Sequence, residues 1–499
     1  MDDRELKALR GRIDEIDERL VSLLVERMEL SAEIGDRKRT RGLPVRDAAR
    51  EEELLARVRE LAGEHGDEVE AIYQTILSLS RKAQQKKLCC GLIGRPLGHS
   101  YSPAIHARLG GYAYRLIELE PEELGPFLSA GDFDGLNVTI PYKKAVLPYC
   151  ARLSETARRV GSVNTIVRRP EGLCGYNTDY VGFLRLFRRS GLSAAGKKAL
   201  VLGSGGASLT VQAALRELGA SEIVVVSRKG ETNYVNLYEK HQDASLLVNA
   251  TPVGVHPHNG ERLIDLSRLP KLEGVFDLVY NPAKTALLLD AERLGLPAFN
   301  GLPMLVAQAA ASSALFTGSE PEDGLIDRIT ESLERDMKNV LLIGMPGSGK
   351  TTLGAALAQK LGRPFIDADR ELEARAGKDI PAIFREEGEE GFRRREHELL
   401  TELTRRSGAV LAVGGGAVTR GENFDLLRQN SRVVWLRRPL QELPTEGRPL
   451  SQSRPISELW REREPLYRAA ADLTVDNTGT PEECVRRILE ALNDENPCH

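Results

Sequence analysis

Val340-Leu341-Leu342-Ile343-Gly344-Met345-Pro346-Gly347-Ser348-Gly349-Lys350-Thr351-Thr352 is an apolar strand that runs through a glycine-rich loop into a helix. The loop has the spacing G-x-x-x-x-G-K-[ST] in the strand–loop–helix setting that such a P-loop requires. Its backbone amides, with Gly344, Gly347, Ser348 and Gly349, are expected to cradle phosphates. Lys350 would reach the outer phosphates of ATP, Thr351 would ligate Mg2+, and Thr352 would complete the nucleotide contacts. An apolar strand followed by a helix, repeated downstream, predicts a parallel α/β sheet for residues 338–499.

Further motifs follow in order: Phe365-Ile366-Asp367-Ala368-Asp369, Gly388-x-x-x-Phe392-Arg393, Gly414-Gly415-Gly416-Ala417, Arg448-Pro449-Leu450 and Pro465-Leu466-Tyr467-Arg468. Together with the P-loop they resemble shikimate kinase over about residues 338–492. That resemblance implies that Asp369 accepts the ring hydroxyls, including the one phosphorylated, and that Asp367 assists Mg2+. It also implies that Arg393, Arg468 and the backbone of Gly415 and Gly416 hold the substrate carboxylate. Arg448 lies in a Gly/Pro-containing stretch, residues 444–455, that reads as a lid able to bring a guanidinium to the transferring phosphoryl group. A purely structural alternative gives Asp367 and Asp369 a helix-capping role. A different P-loop sugar-acid kinase is the functional alternative.

Upstream, residues 319–337 (Gly-Ser-Glu-Pro-Glu-Asp-Gly around the start, then a charged helical segment) read as a linker. Before it, from residue 88, strand-like runs alternate with helical stretches, again the pattern of a parallel α/β sheet. Val201-Leu202-Gly203-Ser204-Gly205-Gly206-Ala207 is a dinucleotide-binding turn after a strand, where the glycines let backbone approach a pyrophosphate. The next strand ends in Ser227-Arg228-Lys229 rather than in an acid, which favours the 2′-phosphate of NADP(H) over the free ribose of NAD.

The motifs Gly98-His99-Ser100-Tyr101-Ser102-Pro103, Gly135-Leu136-Asn137-Val138-Thr139-Ile140-Pro141-Tyr142-Lys143, Val163-Asn164-Thr165 and Tyr176-Asn177-Thr178-Asp179 lie upstream of that turn. With Tyr280-Asn281-Pro282 and the run from Met304 to Ala310 they resemble shikimate dehydrogenase over about residues 89–318. A substrate half at 88–190, an NADP half at 191–300 and a returning helix at 301–318 are implied. Hydride reaching a ketone leaves an alkoxide that needs a proton. By resemblance Lys143 is that acid and Asp179 its partner. Ser100, Ser102, Asn137, Thr139, Asn164, Tyr280 and Gln308 would hold the carboxylate and hydroxyls of 3-dehydroshikimate or shikimate. Quinate dehydrogenase is the nearest alternative. Ser208-Leu209-Thr210 lacks the arginine that the family commonly places after the serine, and the segment from Arg228 to Leu246 is short for a full Rossmann crossover.

Residues 1–87 contain one proline and read as all-helical. Leu6, Leu9, Ile13, Ile16, Leu20, Leu23, Leu30 and Ile34 form one stripe at helical spacing. A helix over 3–38 would be on the order of 50 Å long, more than a domain this small can cover alone. An intertwined dimer would bury it. Arg10 and Arg27 are roughly 25 Å apart along that helix, so they can clamp one ligand only if an antiparallel partner helix supplies the second arginine. Ala8-Leu9-Arg10, Glu26-Arg27, Gly35 through Lys38, Pro44-Val45-Arg46-Asp47, Arg50-Glu51 and Ser80-x-x-x-Gln84 resemble the all-helical chorismate mutases. The resemblance implies that Arg10 and Arg27 hold two carboxylates of chorismate. Lys38 and Gln84 would donate to the ether oxygen, and Asp47 and Glu51 would take the ring hydroxyl, with Arg50 and Ser80 beside them. The alternative is a non-catalytic dimerising module that senses chorismate or prephenate.

The 499 residues suit about three domains. Charged residues are 28%, aromatics 5% and the net charge is -4, which argues against a nucleic-acid binder. Six cysteines without a C-x-x-C pair read as reduced thiols. The acidic start Met1-Asp-Asp-Arg-Glu does not read as a signal peptide, and no apolar run spans a bilayer. A cytoplasmic, multidomain enzyme with NADP(H), ATP and Mg2+ as cofactors is therefore expected.

Overall fold

The apolar run that precedes the P-loop becomes the central strand of a sheet, and all five of its residues are buried. A strand covered on both faces needs no polar alternation, so Asn339–Ile343 can be nearly all aliphatic. In this computed structural model, residues 3–40, 46–84, 88–98, 100–443 and 455–493 are described. The chain divides into two units, residues 1–89 with 111–113, and residues 90–110 with 114–499.

The first unit is helical: Asp3–Thr40, Ala48–Ala62 and Gly66–Gln84. The long helix forms as its periodicity predicts, and Leu9, Ile13, Ile16, Leu20, Leu23, Leu30 and Ile34 lie exposed along it.

The second unit holds three sheets. The first contains β1 (Cys89–Gly94), β2 (Ala113–Glu118), β3 (Gly135–Val138), β4 (Arg152–Leu153), β5 (Thr165–Arg169) and β6 (Gly172–Tyr176), in the order β2-β1-β3-β5-β6-β4. Here β5 runs antiparallel to both β3 and β6. The second contains β7 (Lys198–Leu202), β8 (Glu222–Val226), β9 (Leu246–Asn249), β10 (Gly274–Asp277) and β11 (Ala298–Phe299), all parallel, in the order β11-β10-β9-β7-β8. The third contains β12 (Asn339–Ile343), β13 (Phe365–Asp367), β14 (Val410–Ala412), β15 (Ser431–Arg437) and β16 (Leu473–Asp476), also parallel, in the order β13-β14-β12-β15-β16. The α/β expectation for both segments holds. Between β8 and β9 the crossover carries only a four-residue helix, Leu237–Lys240, in line with the short spacing in the sequence.

The helix Leu302–Thr317 packs on the first sheet, where Ser312 meets Asn137. Within 319–337 the charged segment read as helical is the helix Leu325–Met337, and it is packed rather than a free linker. Ile329, Leu333 and Met337 recur at every fourth residue and bury against Ile105, Leu302 and Val306. Asp327 pairs with Arg185 and Arg189 on the outer side, and Asp336 with Arg108.

The P-loop domain is also seated on the NADP half of the middle segment. Asp425 pairs with Arg262 and Arg293, and Glu292 with Lys284 and Arg428. Beneath these ions the Lys284 N–H donates to the Gln429 carbonyl at 2.8 Å, and the Ala283 N–H to Asn430 Oδ1 at 3.3 Å. Among the described residues no helix is long and apolar enough to cross a membrane.

Candidate functional sites

In the middle segment, β3 ends at Val138 and leads through a turn to Lys143, while the helix Asp179–Arg189 begins at Asp179. The two side chains meet: Lys143 Nζ donates to Asp179 Oδ2 at 2.5 Å. Asp179 Oδ1 accepts from Asn164 Nδ2 at 2.9 Å, which leaves the carboxylate bound on both oxygens. A cavity of about 530 Å3 opens above the pair. Ser100, Ser102, Asn137, Thr139, Asn164, Tyr280 and Gln308 all line it. Every residue expected to hold a ring acid is thus brought to one wall or another of a single space.

A buried hydroxyl–amide network sets these donors. Asn137 Nδ2 donates to Ser312 Oγ at 2.8 Å, and Tyr114 donates its phenol proton to Asn137 Oδ1 at 2.8 Å. Ser312 also meets Thr165 at 2.8 Å and Thr178 at 3.0 Å, and donates to the Gln308 carbonyl at 2.9 Å. Ser312 is fully buried and went unread in the sequence; its only signal was its position four residues after Gln308, on the same helix face. Burial raises the Tyr280 phenol above its usual range, so that group stays protonated and able to donate.

The same cavity reaches Ala207, at the first turn of the helix Gly206–Glu217. Gly205 and Gly206 have open space where a Cβ would sit, which leaves room for a pyrophosphate at that helix N-terminus. Gly203 closes against Thr251 and Ala250 at the end of β7. Ser227 caps a tight turn with Thr232 after β8, and Arg228 beyond it is exposed, with no acid at the strand end. These residues fit a dinucleotide bearing a 2′-phosphate.

In the C-terminal segment a cavity of about 480 Å3 is lined by Gly347, Gly349, Lys350, Thr351, Thr352, Asp369, Arg393, Gly415 and Gly416. Gly344 and Ser348 shape the loop behind it, and the buried Ser348 carbonyl accepts from Asn477 at 2.7 Å. Lys350 Nζ folds onto the loop, donating to the carbonyls of Gly344 at 2.9 Å and Met345 at 3.0 Å. Thr351 Oγ1 donates to Asp367 Oδ2 at 2.5 Å, while Asp367 Oδ1 caps the helix Ala368–Ala376 through the Asp369 and Arg370 amides. Asp367 therefore carries both the capping role and the position beside the threonine. A threonine and a carboxylate offer hard oxygens that fit Mg2+. Among the described residues no group of three His, Cys, Asp or Glu side chains could hold a metal, so phosphate oxygens and water would supply the remaining ligands.

Gly388 breaks the helix Ile380–Leu403 with a φ of 71° and re-aims its second half. Arg393 on that half is buried and donates to Glu396 Oε2 at 2.7 Å. The Gly414–Gly416 run is what lets these groups approach. A Cβ at 416 would overlap the Arg393 guanidinium, and one at 414 would lie 2.8 Å from Asp369 Oδ1. Burial, with Glu396, Asp367 and Glu373 nearby, pushes the Asp369 carboxyl up to about 6, against the opposing pull of Lys350.

Two placements differ from the sequence reading. Arg468 points to solvent, paired with Glu464, and does not line the cavity. Arg463 does, and it is 4% exposed. On the helix Ile456–Ala470 the five-residue offset between them is nearly one and a half turns, so only one can face inward. Arg438 at the end of β15 also lines the cavity and was not anticipated. Arg448 and the stretch 444–454 lie outside the described residues.

In the helical unit Arg27 Nη1 donates to Ser80 Oγ, joining the long helix to the third. Ser80 in turn donates to the Ile76 carbonyl at 2.8 Å. Lys38 is half-buried and Arg10 exposed. Glu51 accepts from Arg81 at 2.7 Å, Asp47 caps the helix Ala48–Ala62, and Arg50 pairs with Glu53 on the surface. The Gln84 side chain lies outside the described residues.

Comparisons with known proteins follow the same division. The chorismate mutase type II family matches residues 9–85, the shikimate dehydrogenase substrate-binding domain residues 92–166, and shikimate kinase residues 346–493. An NADP(+) shikimate dehydrogenase of Halothermothrix orenii is 38% identical over 264 residues, covering 46% of this chain and 91% of that protein. One from Synechocystis is 36% identical over 277 residues, covering 49% and 96%. A crystal structure of a chorismate mutase/shikimate 5-dehydrogenase fusion protein from Clostridium acetobutylicum is 35% identical, covers 50% of this chain and 98% of that one, and superposes with a TM-score of 0.47. Three enzyme modules of the shikimate pathway thus follow one another in a multifunctional protein. With relatives above one-third identity matched over nine-tenths of their length, the chain belongs to the shikimate dehydrogenase family.

Proposed function

We propose that the middle segment reduces 3-dehydroshikimate to shikimate with NADPH, that the C-terminal segment transfers a phosphoryl group from ATP to that shikimate, and that the helical unit rearranges chorismate to prephenate. The observation that carries the reading is the Lys143–Asp179 pair, 2.5 Å apart, beneath a cavity walled by hydroxyls and amides and open to the glycine turn at Ala207. Ser100, Ser102, Asn137, Thr139, Asn164, Tyr280 and Gln308 bind and orient the ring acid. Bound NADPH supplies the hydride. Lys143 gives its ammonium proton to the oxygen that becomes a hydroxyl, and Asp179 holds that ammonium in place. Gly203, Gly205, Gly206 and Ala207 hold the pyrophosphate, while Ser227 and Arg228 take the 2′-phosphate.

In the kinase module Arg393 and Arg463 hold the substrate carboxylate with the Gly415 and Gly416 backbone. Asp369 accepts the proton of the attacking hydroxyl, and Lys350 and Arg438 neutralise charge on the transferring group. Thr351 and Asp367 would hold Mg2+, which would neutralise charge on the nucleotide phosphates.

The exposed apolar stripe of the long helix is covered by a second copy of the chain, whose Arg10 completes a site with Arg27 and Ser80. Lys38 acts there on the ether oxygen, and Asp47, Arg50 and Glu51 line its rim. A cytoplasmic location belongs to this reading.

The test is NADPH consumption by the full-length protein with 3-dehydroshikimate, compared with 3-dehydroquinate. Turnover confined to the quinate-type acid would reassign the middle segment. No turnover with either would remove the dehydrogenase reading.

A further inference from the structure

Gly98 and Ser100 line the ring-acid cavity, and they also line a second one, of about 630 Å3. The far wall of this second cavity comes from the kinase module, through Glu402, Arg405, Arg406 and Ser407. Its near wall includes Asn281, next to Tyr280. The dehydrogenase pocket therefore adjoins a cleft whose outer side belongs to a different enzyme.

The charges in that wall are unequal. Glu402 is engaged by Arg375 at 2.6 Å and by Arg406 at 2.9 Å, which holds its carboxyl down at about 2. Arg406 is spent in the same pairing. Arg405 is not: its Nε is closed off from water without a hydrogen-bond partner. No carboxylate among the described residues forms an ion pair with it. The residue as a whole is half-buried and lines the cleft, where an anion can approach its unpaired guanidinium.

The module that carries Arg405 is fastened to its neighbour. The 2.8 Å bond from Lys284 N–H to the Gln429 carbonyl and the Asp425 ion pairs bind the kinase module to the loop that carries Tyr280. Resting on the dehydrogenase reading above, we infer that Arg405 is a positioning residue for the dehydrogenase substrate. It docks the carboxylate of the polyhydroxylated ring acid at the cleft and steers it past Ser100. The kinase module thereby contributes a cation to its neighbour's reaction.

The experiment uses the full-length protein and its Arg405→Ala and Arg405→Lys variants. For oxidation of shikimate by NADP+, Arg405→Ala should raise KM about three- to tenfold at low ionic strength, leave kcat within about twofold, and lose most of that difference in high salt. Arg405→Lys should keep most of the wild-type KM, and kinase turnover should be unchanged in both, showing an intact fold. An unaltered KM for the alanine variant at low salt overturns the inference alone. A wild-type protein that does not oxidise shikimate sinks the dehydrogenase reading and this inference with it.

Discussion

Lys143 and Asp179 lie 36 residues apart and on separate elements, yet their side chains form a 2.5 Å ion pair at the floor of one cavity. Asn164 fixes the other carboxylate oxygen, so the ammonium is aimed rather than merely neutralised. Replacing Lys143 with Ala should lower dehydrogenase kcat by about a hundred- to ten-thousandfold, the usual worth of a general acid, and leave kinase turnover intact. Steady-state rates with 3-dehydroshikimate and NADPH check this. A lysine that served only to bind would change KM instead.

Arg463 and Arg468 offer a direct comparison within one helix. Arg463→Ala should raise the kinase KM for shikimate more than about tenfold, because it removes a buried charge-assisted contact. Arg468→Ala should leave kcat and KM within about twofold, since its pairing with Glu464 is on the surface. The reverse order of effects would return the carboxylate role to Arg468.

Gly416→Ala should act on the same contact from the other side. The added methyl overlaps the Arg393 guanidinium and must displace it. The expected result is a rise of about tenfold or more in KM for shikimate with the affinity for ATP little changed, read by equilibrium titration of each ligand.

Asp369 carries a signed pH dependence. Its folded carboxyl stands at about 6, above the usual carboxylate value, so the folded state holds that proton more tightly than the unfolded chain. Its contribution to stability is present at low pH and is lost as pH rises towards and through 6. Asp369→Asn should therefore stabilise the protein at pH 8 by about 1–2 kcal/mol, with the gain vanishing below about pH 4, in denaturant titrations. The same variant should lose kinase turnover. In the wild-type protein kinase kcat/KM should fall as pH drops through about 6.

Leu23 and Ile16 sit on the exposed stripe of the long helix. Changing Leu23 to Glu should convert a dimer to a monomer in sedimentation and abolish chorismate turnover, because Arg10 and Arg27 then cannot share a ligand. Arg27→Ala should abolish turnover without changing the mass. A wild-type protein that dimerises but leaves chorismate intact would favour the sensing role.

Local spacing alone determined the element types, while the roles read for the site residues came from the resemblance of their motifs to known families. The P-loop, the glycine turn at 203–206 and the helical stripe from Leu6 to Ile34 are written in contiguous residues, since each needs only neighbours in sequence to take shape. The seven residues read as ring-acid donors were singled out through their motifs, and the structure gathers all seven in one cavity. Other facts depend on distance in space. Whether Arg463 or Arg468 faces the kinase cavity follows from how one helix is rotated against β15. The support of Asn137 by Ser312 follows from the docking of the helix Leu302–Thr317 on the first sheet. The burial of Leu325–Met337, expected as linker, follows from the apolar surface waiting beside it. Arg405 at the dehydrogenase cleft belongs with these. Nothing near it in sequence points to the middle segment, and only the seating of one module on another puts it in the same cleft wall as Ser100 and Asn281.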